Sequence, residues 1–376
     1  MKTAGIYIHI PFCATKCNYC DFYSITDSES LIPRFIKAIC KEIEQCSTDT
    51  SKWKFDTIFI GGGTPSLIKA REIEKILLSI DNKFSLSDIK ELTLEANPGE
   101  ISINKLNGLK MLGINRLSIG VQSMQKKLLK FLTRPHSQKD VYKVFDSARS
   151  SGFENINCDL IYSIPGQTKK MWMDDLETII KLGPDHISAY TLTVEKGTDL
   201  FKMVKNKMVI MPSENQTGNW FIDTHELLQF NGYSPYEISN FSKPGLQCMH
   251  NLHYWETDPY ISFGPSAHSF DGSKRWNNVR SLNHYLESIE SCKTPISKIE
   301  KLSGKDKINE YIGFGLRMNK GINQKKIPET YRLEFQNNLI QIRKKYTDCF
   351  LKNDASVSLS KKGMLYSDYI IPDLLL

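Results

Sequence analysis

Two patterns of apolar and polar residues alternate along the first two thirds of the chain. Short runs rich in β-branched and aromatic residues recur, and longer segments with helical spacing separate them. In the first long segment an apolar stripe of helical period is formed by Leu31, Phe35, Ile36, Ala38 and Ile43. The short runs are GIYIHI, FDTIFI, ELTLEA, NRLSIG, NINCDLI and HISAYTL. A strand followed by a helix, repeated six times, predicts parallel β/α units.

Polar and glycine-rich residues follow the predicted strands. GGGTPS comes after TIFI, EANPG after LTL, and GVQS after LSI. The C-terminal ends of the strands form the active-site face of a β/α barrel, so we expect these segments to meet there. Six units are fewer than the eight of a closed barrel. We therefore predict an α/β fold with a partial, TIM-like (β/α)6 barrel, and the alternative is an open, doubly wound sheet.

The pattern changes after residue 232. The segment 233–300 is rich in aromatic residues, Pro, Gly, Ser and Asn, has little helical period, and predicts a loop-rich connection that packs over the barrel. Periodic structure returns from residue 301, with KINEYIGFGLRMNKGI, FQNNLIQIRKKYTDCFLKN and two short β-like runs, SVSLS and YIIP. We predict a partial barrel over 1–232, the connecting segment over 233–300, and a small mixed α/β domain over 301–376.

The composition is that of an ordinary soluble protein. The 376 residues are 40% hydrophobic and 24% charged, and no apolar run approaches the length of a membrane span. The N-terminus lacks the apolar core of a signal peptide, which predicts a cytoplasmic protein. The net charge of +7 is scattered, so it favours a solvated basic surface and no nucleic-acid partner.

Three cysteines follow the first predicted strand with the spacing C-x3-C-x2-C, namely Cys13, Cys17 and Cys20. Thiolates suit zinc, copper(I) and iron–sulfur clusters. Structural zinc needs four ligands, and the nearest candidate for a fourth is His9, in the preceding strand. Most four-iron clusters have four cysteines, so three would leave one iron with an open coordination position. Three unrelated buried cysteines are the remaining alternative.

This spacing, with Tyr19 just before the third cysteine, resembles the signature of the radical SAM family. The resemblance implies a [4Fe-4S] cluster bound by Cys13, Cys17 and Cys20. It further implies that the amino and carboxylate groups of S-adenosylmethionine chelate the open iron. An electron from the cluster then cleaves this cofactor to a 5′-deoxyadenosyl radical, so an electron donor is an implied partner.

The ends of the other predicted strands fit a nucleoside-bearing amino acid. Glycines let backbone approach a ligand closely, and a carboxylate suits an ammonium group or ribose hydroxyls. By resemblance, the positions that contact S-adenosylmethionine are Tyr7, Gly62, Gly63, Thr64, Glu95, Gln122, Arg134 and Asp159. Taken singly, the glycines could form only a tight turn, and Glu95 could be a helix cap or a solvated loop acid.

A narrower resemblance covers residues 5 to about 270. It is carried by GIYIHIPFCATKCNYCDF, FIGGGTPSLI, LEANPGE, RLSIGVQS, DLIYSIPGQT, YEISNFSKPG and GPSAHSF, which resemble the coproporphyrinogen-oxidase-like branch of the family. That branch includes an oxygen-independent coproporphyrinogen III oxidase and a heme chaperone. The oxidase has a further cysteine where this chain has Phe22, and its sequence extends further before the cluster motif. Both differences favour the chaperone.

The segment HNLHYW, residues 250–255, resembles an H-N-x-x-Y-W motif associated with heme binding in that branch. The resemblance implies heme contacts by His250, Asn251, Tyr254 and Trp255. A histidine can ligate heme iron, and aromatic rings offer flat apolar surface. The alternative is that the motif only anchors the aromatic segment against the barrel. Two further imidazoles, His253 and His268, have no assigned role.

The resemblance implies a protein that binds heme and a [4Fe-4S] cluster with S-adenosylmethionine, and that passes heme to an acceptor protein. One alternative is an oxygen-independent coproporphyrinogen III oxidase, which decarboxylates propionate side chains in heme synthesis. Another is a radical SAM enzyme with a different substrate. Whether the protein is an enzyme is left open by the sequence.

Overall fold

The computed structural model describes residues 1–352 and 356–376. Residues 353–355 fall within the predicted C-terminal domain and lie outside the described residues. None of the helices in the described ranges combines the length and the hydropathy that a bilayer span requires.

Twelve strands of the described chain join in one sheet. They are β1 (Lys2–Ile10), β2 (Trp53–Gly62), β3 (Glu91–Ala96), β4 (Arg116–Gln122), β5 (Asn155–Tyr162), β6 (His186–Thr191), β7 (Ser234–Pro235), β8 (Asn240–Ser242), β9 (Tyr260–Phe263), β10 (His268–Phe270), β11 (Lys274–Asn278) and β12 (Ile296–Lys301).

The helices cover the sheet and build the C-terminal part of the chain. They are α1 (Ile32–Glu44), α2 (Ala70–Phe84), α3 (Ile103–Met111), α4 (Lys126–Phe131), α5 (Gln138–Ser150), α6 (Lys169–Leu182), α7 (Asp199–Lys205), α8 (Glu214–Phe230), α9 (Met249–Trp255), α10 (Leu282–Glu290), α11 (Gly304–Gly315), α12 (Glu329–Lys345), α13 (Lys361–Leu365) and α14 (Ser367–Leu374).

The strand order is β12-β11-β10-β9-β1-β2-β3-β4-β5-β6-β8-β7, and β1 to β6 are parallel. Six sequential parallel strands advance in one direction, and right-handed crossovers then place their helices on one face of the sheet. A doubly wound sheet would require the order to reverse. β1 pairs with β9 and β6 with β8, so the sheet does not close. The predicted partial barrel is confirmed.

Alternation along β1 shows how the two faces of the sheet differ. Ala4, Ile6, Ile8 and Ile10 are fully buried and join the apolar core formed with the helices. The residues between them point to the opposite, concave face, because successive side chains of a strand alternate. This concave face carries most of the polar groups described below.

The segment 233–300 contributes more regular structure than the sequence indicates. It contains β7 to β12 together with α9 and α10, and it extends the sheet at both edges. These strands are two to six residues long, which is too short for alternation to be visible in the sequence. The division of the chain into three domains stays a prediction.

One predicted strand in the C-terminal part is wrong. The run YIIP lies inside α14, where Ile370, Ile371 and Leu374 are buried on a helical spacing. A short apolar run cannot distinguish a strand from a buried helix segment by pattern alone. In the run SVSLS, Val357 and Leu359 each form an isolated bridge rather than a strand.

Candidate functional site

The predicted cofactor residues share the concave face at the C-terminal ends of the parallel strands. Strand register places Tyr7 beside Phe59, and Glu95 beside Ser118. Ser118 Oγ in turn donates to Asp159 Oδ2 at 2.8 Å, across to β5. The site therefore spans neighbouring strands whose order in the sheet follows their order in the sequence.

The cysteine loop leaves β1 and is held at both ends by backbone hydrogen bonds. The amide of Cys13 donates to the carbonyl of Ile25 at 2.9 Å, and the amide of Ile25 donates to the carbonyl of Pro11 at 2.7 Å. Lys16 Nζ donates to the Phe22 carbonyl at 2.8 Å, which closes the loop from inside. These contacts fix the path of the chain that carries all three thiols.

The thiols of Cys13, Cys17 and Cys20 are free and partly buried. Burial raises the pKa of Cys13 and of Cys20, and the nearby Cys17 raises each further, so the three sulfur atoms are electrostatic neighbours. In the described residues, no three or more His, Cys, Asp or Glu side chains converge on a single-ion site. Three thiols on one loop fit a multinuclear cluster, in which each sulfur would bind a different iron.

Two side chains donate hydrogen bonds to these sulfur atoms. Thr64 Oγ1 donates to Cys13 Sγ at 3.4 Å, and Arg134 Nη1 donates to Cys17 Sγ at 3.6 Å. Both donors were predicted as S-adenosylmethionine contacts. The structure brings them together with the cysteine loop.

Asn97 connects these two donors and was missed by the sequence analysis. Its Nδ2 donates to Thr64 Oγ1 at 3.1 Å, and its Oδ1 accepts from Arg134 Nη2 at 2.5 Å. The same amide nitrogen also donates to Glu100 Oε2 at 3.0 Å. Its position in EANPG, two residues after Glu95, was the available signal.

The glycine turn after β2 packs directly against the cysteine loop. Gly62 has φ of +112°, and a Cβ there would lie 2.7 Å from the His9 ring. A Cβ on Gly63 would lie 2.6 Å from the carbonyl oxygen of Phe12. Side chains are therefore excluded from this turn, as expected for backbone that lies close to a cofactor.

Glu95 is a carboxyl group held on the concave face. Its Oε2 accepts from the Gly62 amide at 3.0 Å. Burial and the nearby Asp159 raise its pKa to about 7, against the opposing effects of that amide and of Arg116. An arriving ammonium group would favour the ionised form. Glu95 is therefore not a solvated loop acid, and its contact with the cofactor stays a prediction.

Asp159 and Gln122 take the predicted strand-end positions. Asp159 Oδ1 accepts from Asn157 Nδ2 at 2.9 Å, in addition to its bond from Ser118. Gln122 ends β4 with φ of +64°, after a register shift between Gly120 and Gln122. The unusual backbone conformation is compatible with a functional position.

Tyr7 is hydrogen-bonded to His9, which in turn contacts the backbone of Tyr23. His9 Nε2 lies 2.8 Å from the Tyr23 carbonyl and must donate to it, so His9 Nδ1 accepts from the Tyr7 hydroxyl at 3.1 Å. Burial lowers the pKa of His9 to about 4, which keeps the imidazole neutral. His9 thus supports Tyr7 and the loop and is not a free ligand.

The residues present fit a cluster and a nucleoside-bearing amino acid. Three free thiols share one loop, and a side-chain-free turn lies against that loop. In addition, the buried Nε of Arg134 has no hydrogen-bond partner among the described residues. This guanidinium nitrogen is a donor of the kind that a carboxylate would satisfy.

The HNLHYW segment forms α9, which begins on a carboxylate from the sheet. Glu91 in β3 accepts from the amide of Met249 at 2.8 Å and from the amide of His250 at 3.1 Å. Helix N-termini leave such amides unpaired, and a carboxylate there is stabilising. The buried Glu91 therefore fixes the helix to the concave face.

His250 is buried, with 1% of its surface exposed, and both of its ring nitrogens are paired. Nδ1 lies 2.9 Å from Thr57 Oγ1, and Nε2 lies 2.8 Å from the Tyr254 hydroxyl. Its ring packs 5.3 Å from that of Phe59, measured between centroids. In this conformation the imidazole anchors α9 to the sheet.

The other motif residues differ in exposure. His253 is buried between two carboxylates, with Nε2 2.8 Å from Asp56 Oδ1 and Nδ1 3.1 Å from Asp258 Oδ2. Asn251 and Trp255 are partly exposed. The indole of Trp255 meets the ring of Phe314 edge to face, with centroids 6.1 Å apart. The helix therefore joins the sheet to α11.

His268, which begins β10, is exposed. Its imidazole is near enough to His9 to contribute to the lowered pKa of that residue, after burial. Partial burial and Arg275 lower the pKa of His268 itself.

Comparison with known proteins assigns the class. The model of the radical SAM superfamily matches residues 7–179, from β1 into α6. These residues contain the cysteine loop, the glycine turn and the strand ends described above. The fold and the site define a radical SAM protein, and that family implies a [4Fe-4S] cluster and S-adenosylmethionine.

Similar proteins extend over most of the chain. The heme chaperone HemW of Bacillus subtilis is 36% identical over 332 residues, which are 88% of this chain and 87% of that protein. HemW of Lactococcus lactis is 33% identical, and the match covers 89% of this chain and 87% of that protein. The chain belongs to the HemW family of radical SAM proteins.

The solved structure of coproporphyrinogen III oxidase (HemN) from Escherichia coli shares the fold. The match has a TM-score of 0.85 and 22% sequence identity, and it covers 100% of this chain and 90% of the HemN chain. At this identity the match shows the architecture alone.

Proposed function

We propose that this protein is a cytoplasmic heme chaperone that binds heme, holds a [4Fe-4S] cluster with S-adenosylmethionine, and passes heme to an acceptor protein. The observation that carries the proposal is the likeness to HemW proteins along nearly the whole chain. Phe22, with 66% of its surface exposed, stands where the oxidase pattern has a further cysteine, which supports the same choice.

In this proposal Cys13, Cys17 and Cys20 hold the cluster. With S-adenosylmethionine, such a cluster supplies one-electron chemistry. Glu95 accepts a hydrogen bond from the amino group of the cofactor, and Arg134 donates to its carboxylate. Tyr7, Gly62, Gly63 and Thr64 line the cofactor near the loop, and Gln122 and Asp159 bind the ribose.

The proposed heme element includes α9. Asn251, Tyr254 and Trp255 are partly exposed on this helix and offer amide and aromatic surface to a macrocycle. His250 holds the helix in place through its contact with Thr57 of β2. The alternative role of the motif, anchoring the aromatic segment, is compatible with these contacts, because a supported helix can also bind a ligand.

The test uses protein with its cluster reconstituted without oxygen. Heme is titrated and followed by absorbance, and coproporphyrinogen turnover is measured on the same sample. We expect stoichiometric heme binding and no decarboxylation. Turnover without stable heme binding would make the protein an oxidase.

Transfer is tested separately from binding. The heme-loaded protein is mixed with a heme-free acceptor, and heme is assayed on each protein after they are separated. We expect heme to move to the acceptor. The rate of transfer should be higher than the rate from heme bound to albumin. Equal rates from both sources would contradict the transfer role.

A further inference from the structure

Most of the histidines are buried, which limits the imidazoles that could reach the iron of the heme proposed above. The sequence has eight histidines. Six have at most 6% of their surface exposed, and these are His9, His136, His186, His225, His250 and His253. The two exposed histidines are His268 and His284.

Several of the buried imidazoles are also committed to internal hydrogen bonds. His186 contacts Asn157 Oδ1 at 2.7 Å and the Tyr236 hydroxyl at 2.8 Å, so both of its nitrogens are paired. His250 is paired at both nitrogens as well. His253 lies between two carboxylates, which favours its protonated form, and a protonated imidazole has no lone pair for iron. Iron would have to break these contacts to reach the rings.

His284 lies on a helix rather than on a strand of the concave face. It is in α10, whose buried residues include Tyr285 and Leu286. The Tyr285 hydroxyl donates to Glu42 Oε2 at 2.5 Å, so α10 packs on α1 in the helical layer. His284 is exposed and is not one of the residues of α10 that pack into the fold.

His268 lies on the concave face, which strand register shows directly. Phe270 of β10 is opposite Tyr260 of β9, and Tyr260 is opposite Gly5 of β1. Residues opposite each other share a face, as do residues two apart in one strand. His268 therefore shares the face of Tyr7 and His9 and extends the cofactor site beyond β1.

Side chains around His9 would suit an anionic macrocycle bound at His268. The neighbouring His9 stacks on Tyr23, with centroids 6.3 Å apart. The guanidinium of the exposed Arg280 lies 5.7 Å from the centre of the Tyr23 ring. An aromatic surface and an exposed cation match the flat ring and the propionates of heme.

We propose that His268 supplies an imidazole ligand to heme iron on the concave face of the sheet, close to His9. The proposal rests on the heme-binding function proposed above and deepens it. It places the macrocycle next to the S-adenosylmethionine site. In this arrangement α9 contacts the macrocycle. His250 positions α9 and does not ligate the iron.

The experiment titrates ferric heme into the full chain with its cluster reconstituted. Iron ligation is read by electron paramagnetic resonance and by resonance Raman, because cluster absorbance overlaps that of heme. We expect His268→Ala to weaken heme binding at least tenfold and to abolish the imidazole–iron signal. Added free imidazole should restore that signal in the variant, which a merely structural role would not predict.

Two matched variants provide the controls. His284→Ala removes the other exposed imidazole and should bind heme like the wild type. His250→Gln keeps hydrogen-bonding capacity inside the fold, and we expect it to retain the imidazole–iron signal. Cluster content is measured in every variant by iron and sulfide analysis.

The outcomes separate the two proposals. If His268→Ala titrates and ligates like the wild type, His268 is not the ligand. If the signal is lost only in a folded His250→Gln variant, the ligand is His250. If the wild type binds no heme at all, the proposed function fails, and this inference fails with it.

Discussion

Asn97 Oδ1 accepts a hydrogen bond of 2.5 Å from Arg134 Nη2, while Nη1 of the same guanidinium donates to Cys17 Sγ at 3.6 Å. The other end of the Asn97 amide donates to Thr64, whose hydroxyl contacts Cys13. One side chain thus positions donors to two of the three thiols. Hydrogen bonds to the sulfur atoms are one of the factors that set the potential of an iron–sulfur cluster.

We therefore expect Asn97→Ala to shift the midpoint potential of the reconstituted cluster to a more negative value. Donors to sulfur stabilise the reduced cluster, which carries more negative charge, and the variant removes the Asn97 contacts that help to orient both donors. The potential is measured by redox titration followed by electron paramagnetic resonance. The control is Asn115→Ala, which removes an amide that bonds to the backbone at Leu92 and Lys90. An unchanged potential in the Asn97 variant would contradict the positioning role.

The cysteine assignment predicts a selective loss of iron. Cys17→Ser should abolish the four-iron absorbance and bring iron content to near zero, because two thiolates hold such a cluster poorly. Cys292→Ser is the matched control, since Cys292 is exposed and lies outside the loop. Full cluster content in the Cys17 variant would show that the ligands are elsewhere.

Binding of S-adenosylmethionine should depend on pH through Glu95. Its pKa is raised to about 7, mainly by burial and also by Asp159, with Arg116 and the Gly62 amide acting the other way. Below that pH the carboxyl holds a proton that must leave before the carboxylate can accept a hydrogen bond from the amino group of the cofactor. We expect the affinity to fall about tenfold per pH unit below 7.

Calorimetry of cofactor binding between pH 5.5 and 8 measures this dependence. Glu95→Gln should bind more weakly at pH 8, and its affinity should not vary with pH in the same way. Asp159, whose charge raises the pKa of Glu95, is left intact in that variant. A wild-type affinity that stays constant over this range would exclude Glu95 as the partner of the amino group.

The sequence predicts the features whose signals are local. Cys13, Cys17 and Cys20 lie within eight positions, and each of the first six strands alternates or is continuously apolar. The role of Asn97 depends on partners 33 and 37 positions away, which no periodicity encodes. The pairing of Thr57 with His250 spans 193 positions. The His250 imidazole is buried, although the motif implied that it contacts heme. The short strands β7 to β12 exist because neighbouring strands pair with them.

His253 should make stability depend on pH in the alkaline range. Burial alone would lower its pKa, but the hydrogen bonds to Asp258 and Asp56 outweigh burial and raise it to about 9, from 6.5. The folded state therefore binds a proton that the unfolded state releases at lower pH. The resulting stability is complete below pH 6.5 and is lost as the pH rises through 9. The shift corresponds to about 3 kcal/mol.

Urea unfolding at pH 6.5 and at pH 9.5, in reducing buffer, measures this contribution. His253→Gln should be less stable than the wild type at pH 6.5, and the difference between the two proteins should shrink at pH 9.5. Comparing the two proteins removes the contribution of the cysteines, which titrate in the same range and are present in both. His250, the nearest other imidazole, is held neutral by burial, so it does not titrate in this window. A difference between wild type and variant that is the same at both pH values would mean that His253 is neutral in the folded protein.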